Sequence, residues 1–156
     1  MARTEHFNNP SAPKPNSIVV AVTVFVQDEQ GRVLLIQRTD NGLWALPGGA
    51  QDFGEYIAET AVRETREEAG IEVEVTGVVG IYTNPNHVVE YSDGEVRQRF
   101  SICFRARYVD GDPTTSDESS AVRWVPVDEL ESLAIHPSMR LRISHGFERT
   151  GEIYIG

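Results

Sequence analysis

The chain has one cysteine, Cys103, in 156 residues, no apolar run approaching the roughly 20 residues of a membrane span, and no basic stripe. A single thiol excludes an intramolecular disulfide and a cysteine metal cluster, and it suits a reducing, cytoplasmic compartment. With Ile102 and Phe104 beside it, Cys103 reads as a strand residue. Basic charge is scarce: 14 Lys and Arg stand against 24 Asp and Glu, for a net charge of −10 and a pI near 4.8. That balance argues against binding a nucleic-acid duplex, which calls for a positive face. Residues 1–16 carry Asn, Pro and Ser but lack the apolar core of a signal peptide, so they are expected to form a flexible tail, leaving 17–156 as a single domain. Internal repeats and low-complexity tracts are absent.

What is present is an ordinary globular composition, 40% hydrophobic and 24% charged, with enough length for one sizeable core. Ile18–Val26 and Val33–Gln37 are β-rich and separated by Asp28, Glu29, Gln30 and Gly31, a hairpin signal. Leu43 to Pro47 leads into a glycine loop, with Trp44 and Leu46 expected in the core beneath it. Glu72–Tyr82 and Phe100–Tyr108 read as strands, and Thr83–Gln98 between them as a long hairpin or a loop over the site. A strand over Val122–Val127, confined to an edge or bulge by Pro126, precedes a short helix over Asp128–Leu133 and another over His136–His145. Strands flanking a central helix without regular alternation indicate an α+β domain.

The chemistry is concentrated between Gly48 and Ile71, a loop feeding a helix. Ile57, Ala61, Val62, Thr65 and Ala69 share one helical arc, Gly70 supplies a stop, and Glu64, Glu67 and Glu68 fall together beside the buried face. Like charges three or four residues apart repel, so the cluster is either a solvated face with Glu59–Arg63 and Arg63–Glu67 ion pairs, or a holder for a hard divalent cation.

The spacing favours the cation. Gly49, five residues, Glu55, seven residues, Arg63-Glu64, two residues, Glu67-Glu68, one residue, Gly70 and an apolar Ile71 resembles the signature of the Nudix hydrolase family. A chance match at all seven fixed positions has a probability of about 10⁻⁶. One position departs: Thr65 stands where the family has an aliphatic residue, and its hydroxyl is expected to bond back to the Ala61 carbonyl.

The resemblance implies a Nudix-type α/β/α sandwich around a mixed β-sheet. It also implies metal-dependent hydrolysis of a pyrophosphate bond in a nucleoside diphosphate-linked substrate. By it, Mg²⁺ (or Mn²⁺) is held by Glu64, Glu67, Glu68 and the Gly48 carbonyl. Glu118, six residues before Trp124, is a further ligand, or else a solvated loop residue. The water's proton goes to Glu67, Glu68 or Glu118. Gly49, Glu55, Arg63 and Gly70 support the motif. Arg38, His87 and Tyr91 are candidate substrate contacts, by hydrogen bonding or base stacking, with structural roles as the alternative for each. The substrate is ADP-ribose-like, toward which Pro85 is a pointer, or a nucleoside triphosphate; a homodimer is the default oligomer. Two other classes compete: a nucleotide-binding module without turnover, and an isoprenoid-diphosphate isomerase, for which Cys103 is a poor candidate.

Overall fold

The computed structural model describes residues 2–156. In chain order it contains β1 (Arg3–Phe7), β2 (Ser17–Gln27), β3 (Val33–Arg38), β4 (Trp44–Ala45), β5 (Gly48–Ala50), α1 (Ile57–Ala69), β6 (Glu72–Tyr82), β7 (His87–Tyr91), β8 (Val96–Asp110) and β9 (Ser119–Val125). A 3₁₀ turn over Val127–Ser132, then α2 (Pro137–Glu148) and β10 (Tyr154–Ile155), complete it.

Alternation along the central strands explains the layering. Val22, Val24 and Val26 of β2, Leu34 and Ile36 of β3, and Phe104 and Ala106 of β8 pack with Ala61 and Ala69 of α1. The residues between them, Phe25, Val33, Leu35 and Cys103, face the other way and pack with Ile143 of α2. A period of two thus feeds two cores, one under each helix, as in a sheet buried on both faces. Trp44 and Leu46 join the α2 side, buried as expected.

The sheet is mixed and curled. Strand β2 runs parallel to β8 from Ser17↔Arg97 to Gln27↔Arg107, and pairs antiparallel with β5 through Ala21, Val22 and Thr23. β8 is long enough to serve two further partners, β7 near its start and β6 along the rest. The expected β2–β3 hairpin survives only at its tip, Gln27↔Val33, because β3 pairs instead with β9 and β4. The segment Thr83–Gln98 is a hairpin, β7 to β8, turning at Tyr91–Glu95. β9 ends before Pro126 and pairs with β3 alone among the described residues, the edge position that Pro126 requires.

The start of the chain corrects the sequence expectation, and both ends join the sheet. Residues 3–7 are not a flexible tail: β1 pairs antiparallel with β7 from Arg3↔Tyr91 to Phe7↔His87. β10 pairs parallel with β6 through Tyr154↔Gly80 and Ile155↔Ile81. No helix among the described residues is long and apolar enough to cross a membrane.

Gly146 is where α2 meets the sheet, and a Cβ there would enter the van der Waals envelope of the fully buried Phe25 ring. Gly146→Ala gains about 1 kcal/mol of helix propensity, yet it should lower stability by about 1–3 kcal/mol through overpacking. Urea unfolding of the two chains measures the sign.

Candidate active site

Helix α1 starts at Tyr56, whose N–H donates to Glu59 Oε1 at 2.8 Å, and ends at Gly70 with φ 71°. That left-handed residue closes the helix with a Gly70 N–H bond to the Arg66 carbonyl at 2.9 Å. Thr65, fully buried, donates to the Ala61 carbonyl at 2.8 Å, so the polar residue in the apolar face is satisfied locally.

Arg63 ties the glycine loop to this helix. Its Nε donates to Glu55 Oε2 at 2.7 Å and its two terminal nitrogens reach Glu55 Oε1, the Ala50 carbonyl, Glu64 Oε1 and Glu67 Oε2 at 2.9 to 3.2 Å. Asp52 adds an ion pair at 3.4 Å. Glu55 also accepts from Thr60 and from the Asp52 N–H, and the Arg63 bonds hold its carboxyl down at about 2. Gly49 is required here for space, since a Cβ would collide with the Glu64 carboxylate.

The three box glutamates have different environments. Glu64 and Glu68 are buried, at 9% and 2% exposed, whereas the Glu67 side chain is 58% exposed. Burial pushes the Glu64 carboxyl up to about 7 despite Arg63, with Glu67 and Glu118 pushing the same way. Burial likewise pushes Glu68 up to about 8, against the Gly48 N–H that donates to it at 2.8 Å, with Glu64 and Glu118 adding repulsion. Glu64 therefore feels the charges of Glu67 and Glu118, and Glu68 those of Glu64 and Glu118, while Arg63 bonds directly to Glu64 and Glu67. Glu118 belongs to this group by its charge on both buried glutamates.

The Glu118 loop is pinned rather than mobile. Ser119 Oγ donates to the Glu68 carbonyl at 2.7 Å, Thr39 N–H donates to the Glu118 carbonyl at 3.1 Å, and Thr39 Oγ1 donates to the Asp117 carbonyl at 3.0 Å. The Glu118 carboxylate itself has no hydrogen-bond partner among the described residues. Ser119 carried no signal in the sequence beyond adjacency to Glu118.

Arg38 forks onto Asp40 at 2.8 and 2.9 Å and lies near enough to act on Glu68 and Glu5, so it stands between the box and a second cluster. There Glu5 Oε1, His87 Nε2 and His136 Nε2 come within 4.8 Å of one another. His87 Nε2 is 2.5 Å from Glu5, which is held down at about 2, chiefly by His87 against the opposing effect of burial. His136 Nδ1 accepts from the Ser138 N–H at 3.2 Å, which places the ring proton of the neutral form on Nε2, toward Glu5. Burial lowers the pKa of both rings, helped by Arg99 at His87 and by Arg142, Arg99 and Arg3 at His136. The setting opposes a cation. Glu5 and His136 were not legible as site residues, because the first was assigned to a tail. Tyr91 does not line this cavity: its ring lies 4.7 Å under the Arg97 guanidinium on the hairpin.

A curled mixed sheet with a Gly-loop and a glutamate-rich helix at its edge defines a Nudix-type hydrolase domain. The model of the NUDIX domain matches residues 18–145. The chain is 37% identical over 120 residues to a MutT-like protein of Streptomyces ambofaciens, covering 77% of this chain and 70% of that one. It is 30% identical over 115 residues to an ADP-ribose pyrophosphatase of Methanocaldococcus jannaschii, covering 69% and 62%. The fold of a Streptococcus suis ADP-ribose pyrophosphatase superposes with a TM-score of 0.70 at 23% identity, covering 88% of this chain and 98% of that one. The chain belongs to the Nudix family, and within it to the pyrophosphohydrolases.

Glu64 and Glu68 give a pH test. In the unfolded chain both ionise near 4.5, so up to pH 8 the folded form binds more protons and stability falls as pH rises. His87 and His136, lowered from 6.5, act with the opposite sign below that value. Chemical unfolding in EDTA should therefore show stability declining from about pH 6.5 to 8, and Glu68→Gln should flatten the decline.

Proposed function

We propose that the chain hydrolyses a pyrophosphate bond in a nucleoside diphosphate-linked substrate, with Mg²⁺ or Mn²⁺ held by Glu64, Glu67, Glu68 and the Gly48 carbonyl. The observation that carries this reading is that the buried Glu64 and Glu68 each feel further carboxylates, Glu67 and Glu118 on the first and Glu64 and Glu118 on the second, a repulsion that a hard divalent cation would relieve. The donor set fits: it is all oxygen, charged, partly open to solvent at Glu67, and backed by a rigid loop. When bound, such an ion neutralises the pyrophosphate oxygens and lowers the pKa of a water.

The remaining steps belong to the chain. Arg63 holds Glu55, Glu64 and Glu67 in one arrangement, and the Gly48 N–H orients Glu68, so these carboxylates need no reorganisation when substrate arrives. Glu118 keeps its carboxylate free while its backbone is fixed, which suits it to take the proton from the attacking water. Arg38 faces the box from the cavity side and suits a contact to the substrate's anionic groups.

The binding-only alternative is disfavoured because every box carboxylate is present. The isomerase reading needs an accessible cysteine, and Cys103 is fully buried in β8, with burial pushing its thiol up to about 11. Two measurements test the proposal. Activity on a panel of nucleotides, ADP-ribose included, should vanish with EDTA and return with Mg²⁺; turnover surviving exhaustive chelation would overturn the carboxylate mechanism. Glu118→Gln should lower kcat by about 10²-fold with little change in melting temperature, while Asp117→Asn hydrolyses at the parental rate. Parental rates in both would return Glu118 to a solvated loop residue.

A further inference from the structure

Beyond Arg38, the cavity carries two arginines that no carboxylate bonds, with only the charge of Glu5 acting on them from nearby. Arg99 makes no hydrogen bond or ion pair among the described residues, and its Nε is shut from solvent with no acceptor. Arg142 is 3% exposed; one of its terminal nitrogens donates to the Ser138 carbonyl at 2.7 Å and its guanidinium lies 4.4 Å over the Tyr82 ring, but its Nε also lacks an acceptor. The nearby carboxylates are already committed. Asp40 is taken by Arg38 and Arg3, and Glu5 by His87 and Arg3. Holding a guanidinium away from water without a carboxylate partner is costly, and here the half-buried Arg99 lies beside the buried Arg142 in a chain of net charge −10.

The two arginines line a cavity of about 350 Å³ floored by Phe7, Tyr82 and Tyr154, with Asn84 and Pro85 at its rim. The first turn of α2, at Pro137 and Ser138, opens onto the same space, adding the positive end of a twelve-residue helix. Arg99, Arg142, His87 and Ser138 also line the neighbouring hollow that holds Arg38 and Glu5. Arg38 therefore stands beside both Glu68 of the box and the hollow that the arginine pair lines.

We infer that Arg99 and Arg142 form a second anion subsite, which takes a phosphate monoester on the moiety linked to the pyrophosphate, with the aromatic floor packing the sugar or base between. The inference rests on the hydrolase reading for the substrate but not for the anion. The terminal nitrogens of Arg99, and the one terminal nitrogen of Arg142 that Ser138 does not take, carry N–H donors with no partner among the described residues, in the planar geometry that phosphate oxygens accept.

The test follows thermal unfolding of the full chain in EDTA, in millimolar sodium phosphate against sodium chloride at matched ionic strength. The parent should melt about 2–4 °C higher in phosphate. Arg99→Met should melt above the parent in chloride, because an unpaired charge has gone, and should lose the phosphate gain, whereas a general salt effect would act on both chains. Glu68→Gln should keep the gain in full, separating this subsite from the box. A second arm compares two nucleotide substrates differing only in a phosphate monoester on the linked moiety: the parent's KM should be about tenfold lower for the phosphorylated one, and Arg99→Met should erase that difference. Equal melting of the parent in both salts, or a phosphate gain retained in Arg99→Met, overturns the subsite. A gain that depends on Arg99 with equal KM values overturns the substrate assignment and leaves a site for free phosphate. Absence of hydrolysis for every nucleotide, with the gain intact, overturns the hydrolase reading alone.

Discussion

The Arg63 guanidinium is the interaction on which the site depends. It is a single planar group with five N–H donors, and it bonds to Glu55, Ala50, Glu64 and Glu67. Without it the glycine loop keeps the Gly48 N–H bond to Glu68 of α1, and Glu55, Glu64 and Glu67 have no common counterion. A lysine would place one compact charge where a fork is needed. The same arrangement explains why glycine stands at position 49: the loop must approach so closely that the Glu64 carboxylate fills the space of a side chain.

This hub leaves the cluster incompletely neutralised, and that incompleteness is useful. A fully paired set of carboxylates would be a structural salt-bridge network, with depressed pKa values like that of Glu55. Glu64 and Glu68 instead retain protons toward neutral pH because burial and repulsion outweigh Arg63 and the Gly48 N–H. Beyond Arg38 the imbalance has the opposite sign, with Arg99 and Arg142 short of acceptors. Perturbed charges of both signs, on either side of Arg38, are what a site for a polyanion and its counter-cation requires.

The fold separates these tasks from stability. Two apolar cores, one under α1 and one under α2, are built from alternate residues of the same strands, so the sheet is held from both faces while its edge carries the chemistry. Ser119 links the two functions, since its hydroxyl on the α1 carbonyl of Glu68 fixes the loop that presents Glu118.

Local pattern was enough for whatever depends on neighbours along the chain. Helical spacing put Glu64, Glu67 and Glu68 on one edge of α1, Gly70 ended it, Thr65 bonded to Ala61 four residues back, and the apolar runs marked β2, β6 and β8 and buried Trp44, Leu46 and Cys103. Contacts between distant segments were decided by the tertiary structure. β1 gains its order from β7 some 84 residues away, so five half-polar residues look like a tail until their partner is known. The β2–β3 hairpin yields to pairings with β8, β5 and β9 that offer longer ladders. Arg99 and Arg142 are ordinary arginines in sequence, one on a strand and one on a helix. Only the docking of α2 against β6 and β8 brings them into one cavity without acceptors, because desolvation and charge balance are properties of a place in space and have no signature along the chain.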